Sequence, residues 1–150
     1  MIIRNMRSSD LEMMRQLEVK MRVLEPNVFG ELDEDAYIEN FKKNRIEDFK
    51  LNEVILCIEE GSIIGRIDVI VEHSFMDFKK IGYIDWVYVL KSHRNKGIAK
   101  LLFKEAEKHF NKLDCTMYYL FVANNEEARG FYDSIDIEIK TIDRGSKKLK

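Results

Sequence analysis

Proline is all but missing from this sequence: Pro26 is the single example among 150 residues. No proline-rich spacer, internal repeat or low-complexity block breaks the chain into modules. Cysteine is scarce as well, with only Cys57 and Cys115. Neither stands in a CxxC pair or beside a histidine, so no cysteine-built metal site is expected and both thiols are read as reduced. No apolar run is long enough to span a bilayer, and the N-terminus carries no leader-type apolar segment. A cytoplasmic protein without membrane association is therefore expected. Neither sign of charge is in excess: 25 basic residues against 27 acidic ones give a formal net charge of -2. A nucleic-acid partner would call for a basic surplus and is not expected.

What is there is core-forming material. Hydrophobic residues make up 45% of the chain and aromatics 11%, which excludes intrinsic disorder. One domain over residues 1–150 is expected, since domains of about 100–150 residues are the commonest.

The hydrophobic pattern changes period along the chain. Ile2-Ile3-Arg4 reads as a short strand, and Ser8-Ser9-Asp10 supplies cap chemistry for a helix from about Leu11 to Val23. Leu11, Met14, Leu17 and Met21 form its apolar stripe. A second helix is predicted from Glu34 to Ile46, after a connection holding Pro26. Val54–Ile58 is a buried strand, Glu59–Ser62 a turn, and Ile63–Val71 the returning strand of a hairpin. Tyr83–Leu90 is a third long strand, followed by a polar loop, Lys91–Lys96. Ile98, Leu101, Leu102, Ala106 and Phe110 mark a helix over Gly97–Phe110. A strand at Met117–Val122, a helix opening near Asn124 and a last strand at about Asp136–Ile142 complete the order. The hairpin needs antiparallel neighbours, whereas strand–helix–strand over residues 83–122 needs a parallel crossover. The fold class is α+β with a mixed sheet.

Chemistry concentrates where the third long strand ends, in Leu90-Lys91-Ser92-His93-Arg94-Asn95-Lys96-Gly97-Ile98-Ala99-Lys100. The first turn of a helix leaves N–H groups unpaired and carries the positive end of the dipole. A phosphate placed there collects several charge-assisted hydrogen bonds. Gly97 and Ala99 keep side chains from blocking that approach, while Arg94, Lys96 and Lys100 add attraction. The segment reads as an anion cradle, yet it has neither the GxGxxG of dinucleotide folds nor the GxxxxGK[ST] of nucleoside triphosphatases.

Arg94-Asn95-Lys96-Gly97-Ile98-Ala99 instead resembles the [QR]-x-x-G-x-[GA] element of the GNAT superfamily of N-acetyltransferases. Downstream, Asn125, Ala128 and Tyr132 fit that superfamily's N-x-x-A-x-x-x-Y element, which also follows a strand. The order of elements from Ile2 to about Ile142 agrees with the family. The resemblance implies a mixed, mostly antiparallel sheet, splayed at its centre between the strands at 83–90 and 117–122 and flanked by about four helices. It also implies acetyl-CoA as co-substrate, with no metal. The pantetheine arm would run along Val87, Tyr88 and Val89, and the pyrophosphate would rest on Asn95, Lys96, Gly97, Ile98, Ala99 and Lys100. Asn125 would hydrogen-bond the arm, and Tyr132 would stand near the sulfur as the acid that protonates the departing thiolate.

An alkylammonium has a pKa near 10.4 and must lose a proton before attacking a thioester. Asp85, counted in the phase of Val87 and Val89, is the first candidate for the base. Asp68 and Glu72 share a face of the preceding strand and remain alternatives. His93 and His109 lie in the loop and on a helix, away from that position. The sequence departs from the family where Lys91 stands in place of a frequent proline, and where Asp136-Ile137 replaces a frequent Gly-Phe. Gly130 within a helix costs about 1 kcal/mol against alanine unless close backbone approach offsets it. The tail is short for the family, so the last strand is expected to be incomplete or supplied by a second subunit in a homodimer. Between residues 21 and 37, Glu25, Glu31, Asp33, Glu34 and Asp35 form an acidic rim suited to a cationic amine, small molecule or peptide, or else favour a helix N-terminus. A non-catalytic acyl-CoA-binding module is the alternative function.

Overall fold

In the computed structural model, which describes residues 1–123, 125–140 and 146–147, five strands line up in sequence order. They are β1 (Ile2–Asn5), β2 (Glu53–Glu59), β3 (Ser62–His73), β4 (Lys80–Val89) and β5 (Cys115–Leu120). The first four pair antiparallel and β5 joins β4 in parallel, through a crossover helix. The mixed, mostly antiparallel sheet expected from the sequence is the one observed. Helices α1 (Leu11–Leu24), α2 (Pro26–Phe29) and α3 (Glu34–Lys43) lie between β1 and β2. Helix α4 (Ile98–Lys112) connects β4 to β5, and α5 (Glu126–Asp133) follows. Residues 1–120 and 121–150 are two compact units.

The core is made where the two periodicities meet. Met14, Leu17 and Met21 bury one stripe of α1, and Ile98, Leu102, Phe103, Ala106 and Phe110 bury one stripe of α4. The predicted stripes were close, but Leu11 is only half-buried and Leu101 is exposed, with Phe103 inward instead. Leu56, Ile67 and Leu102 have no accessible surface, and full burial of such side chains contributes about 1.5–3 kcal/mol each. Gly82 lets α4 settle: a Cβ there would stand 2.6 Å from Phe110 Cε1.

Three sequence expectations are corrected. The second helix ends at Lys43, and a one-turn 3-10 helix at Ile46–Asp48 follows it. The connection at Pro26 holds the short helix α2, with proline in the first turn, where its missing N–H costs nothing. The predicted last strand is not seen over residues 136–140, and 141–142 lie outside the described residues. A strand there would need a partner edge. Here the Ile137 N–H instead returns to the Tyr132 carbonyl at 3.2 Å, and Asp136 takes the left-handed backbone at φ 58° that glycine usually supplies.

Candidate functional site

The β4–β5 pairing runs Lys80↔Cys115, Gly82↔Tyr118, Tyr83↔Tyr119 and Ile84↔Leu120. Past Ile84, β4 continues to Val89 with no partner on that side among the described residues. The sheet is thus open over Asp85–Val89, where Trp86–Val89 stay paired to β3 alone. Beyond Leu90, a 3-10 turn at Lys91–His93 leads to Arg94, and Asn95 and Gly97 both take left-handed backbone at φ 61° and 77°. Gly97 is the N-cap of α4 and brings no side chain to its first-turn N–H groups. A Cβ at Gly97 would meet nothing within 4 Å among the described residues, so no described side chain covers the helix start there. An uncapped, positively polarised helix start beside an open strand edge fits a phosphate-bearing ligand with an extended arm.

The predicted cradle residues Asn95, Lys96, Gly97, Ile98, Ala99 and Lys100 all stand at this turn, next to the open edge carrying Val87, Tyr88 and Val89. Two side chains do other work. The Tyr88 hydroxyl donates to Glu25, and Arg94 donates from Nε to the Val89 carbonyl at 3.1 Å and from Nη2 to Glu25 at 3.0 Å. The Arg94 guanidinium also lies 5.6 Å over the Tyr88 ring. His93 lies 3.5 Å from Glu59, and His109 Nε2 is 2.9 Å from the Leu51 carbonyl.

On the second unit, Asn125 caps α5 by accepting from the Ala128 N–H at 2.8 Å. Tyr132 lies two turns on and is buried, which pushes its phenol above the ordinary value. The two motif residues are thus brought onto one short helix.

A register break decides the place of Asp85. Asp68 pairs with Trp86, but Val69 pairs with Ile84, so Asp85 is an extra residue in β4. Such a bulge reverses the simple alternation. Val87 and Val89 pair with Ile67 and Gly65 on the α4 side, while Asp85 joins Trp86 and Asp68 on the α1 side. The phase that put Asp85 with Val87 and Val89 is therefore corrected.

On the α1 side is an open cavity of about 250 Å³ lined by Glu18, Met21, Arg22, Phe29, Arg66, Asp68, Asp85 and Trp86. Arg66 grips Asp68 with two bonds of 2.6 and 2.5 Å and reaches Glu18 at 3.0 Å. Burial pushes the Asp68 carboxyl up, against the pull of Arg66. Asp85 is exposed and without a partner among the described residues. Glu72 is elsewhere, accepting from the Tyr119 hydroxyl at 2.9 Å. Glu18, Arg22, Phe29, Arg66 and Trp86 were missed from sequence. A signal existed: Glu18 falls inside the buried stripe of α1, four residues after Met14. The acidic rim is largely engaged in structure, Asp33 capping α3 through the Ala36 N–H and Glu34 pairing with Arg15 at 2.6 Å.

A family model, "Acetyltransferase (GNAT) family", matches residues 12–135. No curated protein matches the sequence. Among solved structures, glucosamine-6-phosphate N-acetyltransferase from Arabidopsis thaliana is 22% identical with a TM-score of 0.76, over 99% of this chain and 98% of that one. AAC(6')-Iy in complex with the bisubstrate analog CoA-S-monomethyl-acetylneamine is 20% identical with a TM-score of 0.77, over 99% and 98%. An aminoglycoside acetyltransferase from an uncultured soil metagenomic sample, in complex with sisomicin, is 17% identical with a TM-score of 0.76, over 99% and 96%.

Proposed function

We propose, from the premise that this chain belongs to the acetyltransferase (GNAT) family, that it transfers the acetyl group of acetyl-CoA directly to a primary amine bound beside the bulge in β4. The observation that carries this reading is the left-handed, uncapped start of α4 next to the unpaired edge of β4 at Asp85–Val89. Bound there, acetyl-CoA would supply the activated acyl group as a thioester. The N–H groups at the start of α4 would hold its pyrophosphate, with Lys96 and Lys100 adding charge. The open edge at Val87–Val89 would hold the arm as an added strand, and a backbone N–H there would stabilise the oxyanion of the attacked carbonyl.

Asp85 is assigned the proton from the acceptor ammonium, directly or through a water, because it is the cavity carboxylate without a cationic partner among the described residues. Asp68 is less suited, since both its oxygens are held by Arg66. Asn125 and Tyr132 are assigned on their motif positions, Asn125 to the arm and Tyr132 to the departing thiolate. Burial keeps the Tyr132 phenol protonated, as an acid must be.

A thermal-shift panel of acetyl-CoA, CoA, ATP and NAD, followed by a thiol-release assay with varied amines, tests the reading. A ligand that binds only the native state raises its stability, so acetyl-CoA and CoA should shift the midpoint and the nucleotides should not match them. Stronger stabilisation by ATP would reject it. Acetyl-CoA binding without thiol release from any amine would leave a non-catalytic acyl-CoA-binding module.

A further inference from the structure

The cavity beside the bulge contains three carboxylates and two guanidiniums, and most of them are already spent on one another. Arg66 takes both oxygens of Asp68 and one of Glu18. Arg22 Nη1 takes the other Glu18 oxygen at 2.6 Å and the Glu18 carbonyl at 3.1 Å. Two groups remain. One is the Asp85 carboxylate, and the other is the far edge of Arg22, whose Nε is buried with no hydrogen-bond partner among the described residues. A buried donor without a partner is unusual enough to need an explanation. In a planar guanidinium the Nε–H and one Nη2–H point the same way and match the two oxygens of a carboxylate or phosphate.

We propose that the acceptor is a small amine that also carries an anionic group, with Asp85 facing its ammonium and the Nε–Nη2 edge of Arg22 taking the anion. This deepens the acetyl-transfer reading and rests on it. A polycation fits the cavity poorly, because a second ammonium would meet Arg22 and Arg66 with no open carboxylate left for it. The volume of about 250 Å³ also lies below the range of roughly 300–1,000 Å³ typical of drug-sized ligand pockets. Phe29 and Trp86, in edge contact at 5.7 Å between ring centroids, provide an apolar wall for the body of the acceptor.

Matched probes test this on the intact protein. Phenylalanine is set against phenethylamine, glucosamine 6-phosphate against glucosamine, and spermidine stands as the polycation. Each is titrated calorimetrically into the protein saturated with CoA, and each is assayed for thiol release with acetyl-CoA. At least one anionic probe should bind about tenfold or more tightly than its partner lacking the anion. The arm that shows the preference separates carboxylate from phosphate as the source. Arg22→Lys keeps a positive charge beside Glu18 but removes the Nε–Nη2 edge, so the ratio of affinities within the preferred pair should fall toward one. Equal binding within both pairs, no binding by any probe, a preference that survives in Arg22→Lys, or better binding of spermidine would each overturn the proposal. The comparison of probes in the wild-type protein stands even where the variant fails to fold. Anion-dependent binding without thiol release would keep the site and reject acetyl transfer. Equal turnover of both members of each pair would keep acetyl transfer and reject the site.

Discussion

Glu25 and Arg94, 69 positions apart in the chain, form an ion pair of 3.0 Å that fastens the α1–α2 junction to the loop before α4. Both side chains are mostly buried, at 15% and 23% exposed, and Tyr88 adds its hydroxyl to the same carboxylate. The guanidinium that sequence assigns to phosphate attraction is thus held from behind. Lys91, where a proline would have stiffened the entry, is followed by a loop pinned through Arg94 to Glu25 and to the Val89 carbonyl.

Glu25→Gln should therefore loosen that loop and lower stability by about 1–2 kcal/mol near pH 7. Burial alone would raise the Glu25 carboxyl, but the Tyr88 hydroxyl and Arg94 hold it below its ordinary value. A depressed carboxylate contributes stability above its unfolded pKa, about 4.3, and loses it as pH falls through the lower folded value. The gap between wild type and variant should accordingly close below about pH 4. Urea midpoints at pH 7 and pH 3 check this, and a gap unchanged at pH 3 would remove the ion pair as its cause.

Gly97→Glu should abolish acetyl-CoA binding in calorimetry, since it puts a negative side chain at the start of α4. At φ 77° any L-residue is strained, so a stability loss of about 1–2 kcal/mol should accompany it. Gly97→Asn, which tolerates left-handed backbone, separates the two effects by sparing most of the stability. Undiminished affinity in Gly97→Glu would move the cradle elsewhere.

Gly130→Ala tests a different glycine. Nothing among the described residues stands within 4 Å of the place where a Cβ would go, and the residue lies inside α5 without a left-handed φ. No close approach offsets its helix penalty, so alanine should stabilise by up to about 1 kcal/mol. A thermal midpoint that falls instead would show that the site needs a bare backbone.

The strands and the two long helices were legible from local pattern, Val54–Ile58 as an unbroken apolar run of strand length and Ile98 to Phe110 as a stripe at helical spacing. The cradle was legible because glycine and basic residues follow a strand directly. The cavity was not. Counting by twos along β4 cannot reveal one extra residue, and the bulge at Asp85 moves that carboxylate to the opposite face from Val87 and Val89. Nor does local sequence show that Glu18 and Arg66, 48 positions apart, lie 3.0 Å from one another. Pairing of that kind depends on how α1 crosses the sheet, a tertiary fact that no window of sequence contains.

Tyr132→Phe distinguishes an acid from a packing residue. The ring is buried and makes an edge contact with Phe131 at 5.4 Å between centroids, and phenylalanine keeps that ring. If the hydroxyl protonates the departing thiolate, its contribution grows only as the thiolate forms. Turnover should then fall by about 10²–10⁴-fold, the usual contribution of a positioned general acid, with acetyl-CoA affinity nearly unchanged. The acid-limb and base-limb rates also differ in form. Wild type should lose activity at high pH as the phenol ionises, at a point above the ordinary tyrosine value because burial raises it, and the variant should lack that loss. Thiol release measured across pH with a good acceptor reads both effects. A variant as fast as wild type, with the same high-pH limb, would leave Tyr132 holding α5 together and nothing more.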